Sequence, residues 1–236
     1  MNNFYKLALP LAFLGLMSGC NSSDSEDNDI VEPPPPAPIV FQYQITIGNI
    51  TNAQPFSPIA VLLHDTGEVW QFGQPASTML EDLAESGDNN QILMSDFAIA
   101  NATNGEVLLP GAQTDIMVST TDSAANYLSL VTMLVNTNDA FTGLSRIDIS
   151  NLSVDEMMKF RVAVYDAGTE GNSELAGTIP GPADGGEGFN QARDDIDYVA
   201  RHPGVVSTDD GLANSVLNNQ HKFDNPAMSV TILRLQ

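Results

Sequence analysis

Hydrophobic and polar residues alternate along the chain from residue 41 onward, which is the pattern of half-buried β-strands. The first strand is the clearest, because every second residue from Phe41 to Ile47 is aromatic or aliphatic and the residues between them are polar. Five later segments repeat the signal between turn-rich stretches, namely residues 59–63, 116–118, 128–135, 160–165 and 228–235. Residues 128–135 are apolar on both faces, which predicts a central strand of a sheet.

A short helix is predicted between these strands. Thr78 and Glu81 fit a capping box, an apolar stripe follows over residues 80–84, and Gly87 stands where a helix would stop. Strands without alternating long helices are typical of an antiparallel β-sandwich with Greek-key connections. We therefore expect an all-β sandwich with one short helix and long loops such as residues 168–197.

The first 40 residues differ in composition from the rest of the chain. Residues 1–19 hold one cation, Lys6, and an apolar run that is too short to span a bilayer, which predicts a secretory signal peptide. Residues 20–40 are acidic and Pro-rich and hold too little apolar material for a core, so we expect a tether. Residues 41–236 would then form the folded domain.

Cys20 is the one cysteine of the chain and stands at the predicted cleavage point. The segment before it resembles a bacterial lipobox, although Met17 stands where that motif prefers Leu; an ordinary signal with a chance cysteine is the alternative. In such lipoproteins the new N-terminal cysteine carries several acyl chains, which together anchor a protein stably. Their sorting rules, applied to Asn21, imply a lipoprotein of the outer membrane in a bacterial cell envelope.

Composition and charge narrow the classes of partner and of metal site. Thirty acidic residues against eight basic ones give a formal charge of -22, which repels the phosphate backbone and excludes a nucleic-acid partner. One cysteine and three histidines leave little material for a transition-metal site. A chain of this kind that binds a metal is expected to bind a hard cation through oxygen.

Two loops carry acidic residues just where a predicted strand ends. Asp139 lies in residues 136–143, and Asp166 and Glu170 lie on either side of Gly168, which gives the backbone freedom to curl back. Three carboxylates, with backbone carbonyls and water, would supply the oxygen ligands that Ca²⁺ takes. The competing interpretation is that Asn, Asp and Gly in these loops merely favour turns.

Five pieces of the chain resemble the spondin N-terminal domain family. They are residues 56–58 with His64, Gly73 with residues 76–77, residues 83–87, Ser129 with residues 138–143, and residues 165–170. The Asp-x-Phe-x-Gly loop and the later Asp-Ala-Gly-Thr-acid loop are the most specific of these.

The resemblance implies a fold and a metal site. The fold is a β-sandwich similar in shape to calcium-dependent lipid-binding sandwiches, and the implied calcium ligands are Asp139, Asp166 and Glu170. Animal members commonly carry Asp at the position of Glu170 and Trp at the position of Ala140. The Glu can still ligate, whereas the missing Trp leaves the adhesive surface of the family in doubt.

An enzyme is the competing functional class. His64 and Asp65 are neighbours on a predicted strand and would point to opposite faces, so they do not suit a base and the group that orients it. No Gly-x-Ser-x-Gly or His-Glu-x-x-His motif is present. We expect no catalysis, His64 being a hydrogen-bonded residue at a strand end; an envelope hydrolase is the alternative.

Other residues leave two interpretations open. Trp70 and Phe72 could line a glycan-binding surface or belong to the core. Asp194, Asp195 and Asp197 could form a second cation site or a solvated acidic face. Together these observations predict a calcium-binding, lipid-anchored binding or structural module, held to the membrane by its anchor, whose partner is an envelope or extracellular protein or a glycan.

We predict that the wild-type protein fractionates with membranes after expression in a Gram-negative host, because acyl chains on Cys20 are its predicted anchor. The Cys20→Ser variant should move to the aqueous phase in detergent phase partitioning. Wild-type protein found wholly in the aqueous phase would contradict the lipid anchor.

Overall fold

A computed structural model of the chain describes residues 35–236. The predicted signal peptide, Cys20 and most of the predicted tether lie outside the described residues. All strands and helices below belong to the unit of residues 38–236. Within residues 35–236 no helix has the length and apolar character needed to cross a bilayer.

The unit consists of ten strands and two short helices. In chain order they are β1 (Phe41–Asn49), β2 (Ala60–His64), α1 (Thr78–Ser86), α2 (Asn90–Leu93), β3 (Ala98–Thr103), β4 (Gln113–Thr120), β5 (Tyr127–Met133), β6 (Ala140–Asp148), β7 (Met157–Val162), β8 (Val164–Asp166), β9 (Ala200–Arg201) and β10 (Met228–Arg234). Two single-turn 3₁₀ segments, Thr208–Asp210 and Asn219–His221, lie between β9 and β10.

The strands form two antiparallel sheets, which confirms the predicted all-β sandwich. The four-stranded sheet has the order β4-β1-β10-β7, and the six-stranded sheet has the order β3-β2-β5-β6-β8-β9. Strand β1 lies inside its sheet, where Ile45 is opposite Ile116 on one side and Ile232 on the other. The alternation of β1 thus buries one face of the strand and leaves Gln42, Gln44 and Thr46 less buried.

The main core fills the space between the two sheets. Ile45 and Ile47 of the four-stranded sheet and Val61 and Leu130 of the six-stranded sheet belong to one buried cluster. Because each of these side chains is fully buried, truncation of one of them to Ala is expected to cost about 2–5 kcal/mol.

A second apolar cluster lies on the other face of the six-stranded sheet. There Val131 and Met133 of β5 share a cluster with Leu80 and Leu83 of α1. Strand β5 is therefore buried on both faces, which explains why residues 128–135 carry apolar side chains on both faces and confirms their prediction as a central strand.

The predicted strand at residues 160–165 is wrong in one respect, because it is two strands in different sheets. Val162 ends β7 opposite Met228, whereas Val164 begins β8 opposite Thr142. Between them, the carbonyl of Ala163 accepts a hydrogen bond of 2.9 Å from the Thr142 hydroxyl. A continuous apolar run does not reveal such a crossing, since both halves bury side chains.

The predicted loop at residues 136–143 is also shorter than expected. Strand β6 begins at Ala140, so β5 and β6 form a hairpin whose connection ends at Asp139. Strands β3, β6 and β9 and helix α2 are absent from the prediction. Strand β3 holds mostly small and polar residues, β9 has two residues, and α2 is a single turn.

Helix α1 begins one residue earlier than the predicted capping box. Ser77 is the N-cap and accepts a hydrogen bond of 3.4 Å from the Leu80 N–H, while the Glu81 carboxylate pairs with Arg193 at 2.6 Å. The predicted stop is confirmed, because Gly87 has φ 76° and donates its N–H to the Leu83 carbonyl.

We predict that removing residues 1–37 leaves a cooperatively folding domain, because both apolar clusters lie wholly in the later residues. Its melting temperature, followed by circular dichroism, should agree with that of a chain beginning at Asn21 to within about 2 °C. A large drop would show that part of residues 21–37 contributes to the folded state.

Candidate metal centre

The β5–β6 hairpin and the end of β8 bring two of the predicted ligands together. Asp139 immediately precedes β6, and Ala140 pairs with Asp166, the last residue of β8. The backbone carbonyl of Asp139 also accepts a hydrogen bond of 3.3 Å from the Ala167 N–H. The two carboxylates thus come from one end of the six-stranded sheet, as the positions of their loops predicted.

The Asp139 carboxylate is completely buried and only half satisfied. Its Oδ2 accepts hydrogen bonds from the Thr169 N–H (2.9 Å), the Thr169 hydroxyl (3.3 Å) and the Glu170 N–H (3.2 Å). Its Oδ1 is buried without any hydrogen-bond partner. A buried carboxylate oxygen without a partner is costly, and it is relieved by a proton or by a cation.

Asp166 is held by donors from its own loop. Its Oδ1 accepts a hydrogen bond of 2.8 Å from the Gly168 N–H, and its Oδ2 accepts one of 2.7 Å from the Asn172 side chain. Gly168 has φ 71°, and a Cβ at this position would collide with the backbone of Tyr198. The tight curl predicted for this loop therefore depends on glycine.

The Glu170 side chain points elsewhere in this structure. Its Oε1 accepts a hydrogen bond of 2.9 Å from the Asn138 side chain. After burial, the charges that raise the pKa of Glu170 are those of Glu85, Asp194 and Glu187. Neither Asp139 nor Asp166 is among them. Across residues 35–236, no three His, Cys, Asp or Glu side chains converge closely enough, as they stand, to hold a metal ion.

Burial makes these carboxyl groups weaker acids than exposed Asp and Glu side chains. It raises the pKa of Asp139 to about 8, with repulsion from Asp166 as the next cause. Burial likewise raises the pKa of Asp166, and it raises the pKa of Glu170 to about 7. The raised pKa values bring the titration of Asp139 and Glu170 close to neutral pH, and the donors of the site are the carboxylate oxygens that suit a hard cation.

Two further acids lie near this site, and sequence reasoning did not place them there. Asp195 is half-buried, and its pKa is raised first by burial and then by the charge of Asp166. Glu85 of α1 is 1% exposed, with Oε1 unpaired and Oε2 accepting a hydrogen bond of 2.8 Å from the Asn190 N–H. Spacing along the chain gives no signal for either one.

The other two acids of residues 194–197 have partners of their own. Asp194 accepts a hydrogen bond of 2.8 Å from the Gly171 N–H, and Asp197 pairs with Arg193 at 2.7 Å. The three acids therefore have three different environments rather than forming one solvated face or one cation site.

His64 and Asp65 do not form a base and its orienting acid. The His64 Nδ1 donates to the Thr66 carbonyl at 3.0 Å, which leaves Nε2 to accept from the Ser129 hydroxyl at 2.9 Å. Asp65 instead accepts a hydrogen bond of 3.0 Å from the Asn126 side chain. His64 and Ser129 are both 0% exposed, so neither side chain reaches solvent.

Trp70 and Phe72 have different environments. Trp70 is 8% exposed, and its ring centroid lies 5.1 Å from that of Phe141 in the second apolar cluster. Phe72 is 51% exposed. One of the two aromatic residues is thus a core residue and the other a surface residue.

Comparison with known proteins finds one family whose match covers the loops of the site. A family model described as Spondin_N matches residues 49–179, which is more than half of the chain and includes Asp139, Asp166 and Glu170. Asp195 lies beyond the matched residues. No curated protein matches the chain.

The raised pKa of Asp139 predicts how stability depends on pH in metal-free protein. Between the ordinary Asp pKa of about 3.9 and the raised value of about 8, folded Asp139 keeps a proton that the unfolded chain has lost. The free energy of unfolding should therefore fall as the pH rises through this window. Melting curves in chelator at pH 5 to pH 8 measure the effect.

The Asp139→Asn variant should show a flatter dependence on pH, because its side chain does not titrate and can still accept the donors that hold Oδ2. Asp96→Asn, a change at an exposed position, is the matched control and should follow the wild type. An unchanged pH slope in Asp139→Asn would rule out Asp139 as the titrating group.

Proposed function

The chain belongs to the spondin N-terminal domain family, and from this we propose that it is a calcium-binding, lipid-anchored module of the bacterial cell envelope with a binding or structural role and no catalysis. The observation that carries the calcium assignment is the buried, unpartnered Oδ1 of Asp139, which lies in the loop that the family match includes. The chain has a formal charge of -22, so a bound cation reduces its internal repulsion, and the effect on stability is largest where the cation neutralises a buried carboxylate of this kind.

We assign Asp139, Asp166 and Glu170 as the side chains that would hold the ion. Their oxygens are the ligand atoms that Ca²⁺ prefers, and the charge of the bound ion would offset the cost of burying negatively charged carboxylates. Glu170 would have to exchange its hydrogen bond from Asn138 for the ion. That exchange costs one hydrogen bond to a charged group, about 1.5–3 kcal/mol before any compensation.

The other contacts of these loops would hold the ligands in place. The backbone N–H groups of Thr169 and Glu170 fix one oxygen of Asp139, and Gly168 with Asn172 fixes Asp166. Hydrogen bonds of this kind orient carboxylates before an ion arrives and so reduce the entropic cost of binding.

The proposed location rests on the N-terminal region. Acyl chains on Cys20 would attach the protein to the membrane, and the Pro-rich tether of residues 20–40 could extend on the order of 50 Å. We place the protein at the outer membrane as a lipoprotein whose partner is an envelope or extracellular protein or a glycan.

The competing function, an envelope hydrolase, would need an accessible nucleophile. The hydrogen bond from Ser129 to His64 has the polarity of a nucleophile and its base, which is the one contact that favours this alternative. Complete burial of both residues argues against it. We expect a broad esterase and peptidase screen of the purified protein to detect no activity.

Calcium titration into chelator-treated protein tests the proposal. Wild-type protein should bind one ion per chain, and a calcium concentration of 100 times the dissociation constant should stabilise it by about 2.7 kcal/mol. For a domain of this size that corresponds to a rise in melting temperature of about 5–10 °C. Asp166→Asn should lower the calcium affinity, because it removes one charged ligand while keeping its shape.

Three matched variants sharpen this test. Glu170→Gln should also weaken calcium binding, while Asp96→Asn should bind as wild type does. Asp195→Asn measures whether the acid next to Asp166 contributes to the same site. Equal calcium affinity in wild type and Asp166→Asn would overturn the assignment.

A further inference from the structure

An open cleft of about 320 Å³ lies between the segment that follows β2 and strand β6. Three aromatic rings, those of Trp70, Phe72 and Tyr165, line it together with the polar residues Glu68, Gln71 and Ser145. Apolar walls with a few polar groups are the usual make-up of a small-ligand site.

The aromatic wall of the cleft is held in place from behind. The Tyr165 ring centroid lies 5.1 Å from that of Phe72 and 5.9 Å from that of Trp70, and Trp70 in turn packs edge-on against Phe141. Phe72 nevertheless exposes half of its surface. An exposed ring on a fixed wall offers a ligand apolar contact at little conformational cost.

Arg201 stacks on two of these rings. It lies opposite Tyr165 in the β8–β9 pairing, with its guanidinium carbon 5.1 Å from the Tyr165 ring centroid and 5.9 Å from that of Phe72. Within residues 35–236 its guanidinium makes no hydrogen bond or ion pair to another side chain, whereas Arg193 pairs with both Glu81 and Asp197. The donors of Arg201 are therefore free for an anionic group.

We propose that this cleft binds a sugar ring that carries a carboxylate, such as a uronic acid. The apolar C–H face of the ring would pack on the exposed part of Phe72, and Arg201, next to that ring, would bind the carboxylate through its paired donors. A cationic ligand fits less well, because the Arg201 guanidinium would repel it. The inference rests on the proposed binding role and names the class of ligand.

The polar residues of the cleft suit the hydroxyl groups of such a ring. Glu68 and Gln71 are exposed at the cleft and can accept or donate hydrogen bonds. Ser145 donates to the Trp70 carbonyl at 3.1 Å, so its oxygen keeps free lone pairs. The cleft therefore offers an aromatic wall and hydroxyl partners, and the Arg201 guanidinium lies next to that wall.

The single Trp of the chain lies in this cleft and provides a direct readout. Methyl glucuronide and the matched neutral methyl glucoside are titrated into the full chain in detergent, with the Trp70 indole N–H followed by NMR. We expect the glucuronide to bind about tenfold more tightly than the glucoside, since only the acid engages Arg201. Equal affinity for the two sugars, or no shift with either, would overturn the proposal.

Matched variants locate the site. Arg201→Gln should remove the preference for the acid, and Arg201→Lys, which keeps the charge but loses the paired donors, should retain only part of it. Phe72→Ala should lower the affinity for both sugars about fivefold, because the stacking contact is lost. Phe189→Ala and Arg161→Gln change exposed residues elsewhere and should bind as wild type does; glucuronide binding unaffected by both Phe72→Ala and Arg201→Gln would refute the assignment.

The sugar titration is repeated in saturating calcium and in chelator, and calcium binding is measured separately by calorimetry. Glucuronide binding by a protein that takes up no calcium would support the cleft and reject the metal site. Calcium uptake by a protein whose Trp70 signal shifts with neither sugar would support the metal site and reject the cleft as a sugar site.

Discussion

The buried carboxylate of Asp139 is the contact on which the end of the sandwich depends. One of its oxygens accepts hydrogen bonds from the N–H groups of residues 169 and 170. A single side chain in the β5–β6 turn therefore fixes the path of the segment that leaves β8. That segment begins a connection of more than thirty residues before β9 returns to the sheet. Without the carboxylate, these backbone donors would be buried without partners, at about 1–3 kcal/mol each.

Burial of the same carboxylate also destabilises the fold, and the described residues do not offset that free-energy cost. Its second oxygen has no partner, and the nearest acid, Asp166, repels it. A proton or a cation on the pair would relieve both effects, because it satisfies the unpartnered oxygen and reduces the repulsion. Arg193, the arginine of this region, is committed to Glu81 and Asp197. Arg193 thus does not balance the charge of the pair, which is the imbalance that the proposed cation would remove.

Local pattern predicted the parts of the fold that depend on a single strand or turn. Tyr43, Ile45 and Ile47 of β1 are buried as its alternation implies, and Gly87 ends α1 in the left-handed conformation that its position requires. The crossing at Ala163 and the approach of Asp195 to Asp166 depend instead on how distant strands pair. A single sequence does not encode such pairing in its spacing, so the two acidic loops could be found but their full acidic surroundings could not.

Strand β8 joins the acidic site to the aromatic cleft. Tyr165, which lines the cleft, is followed at once by Asp166, and both pair with the two residues of β9, of which Arg201 stacks on the Tyr165 ring. Strand β8 is held on its other side by β6, whereas β9 pairs with β8 over two residues only, so few backbone hydrogen bonds fix the position of β9. A cation on Asp166 would fix one end of β8 and, through the β8–β9 pair, the positions of Tyr165 and Arg201. Relief of charge at one site would thereby lower the entropic cost of binding at the other, without any change in the fold.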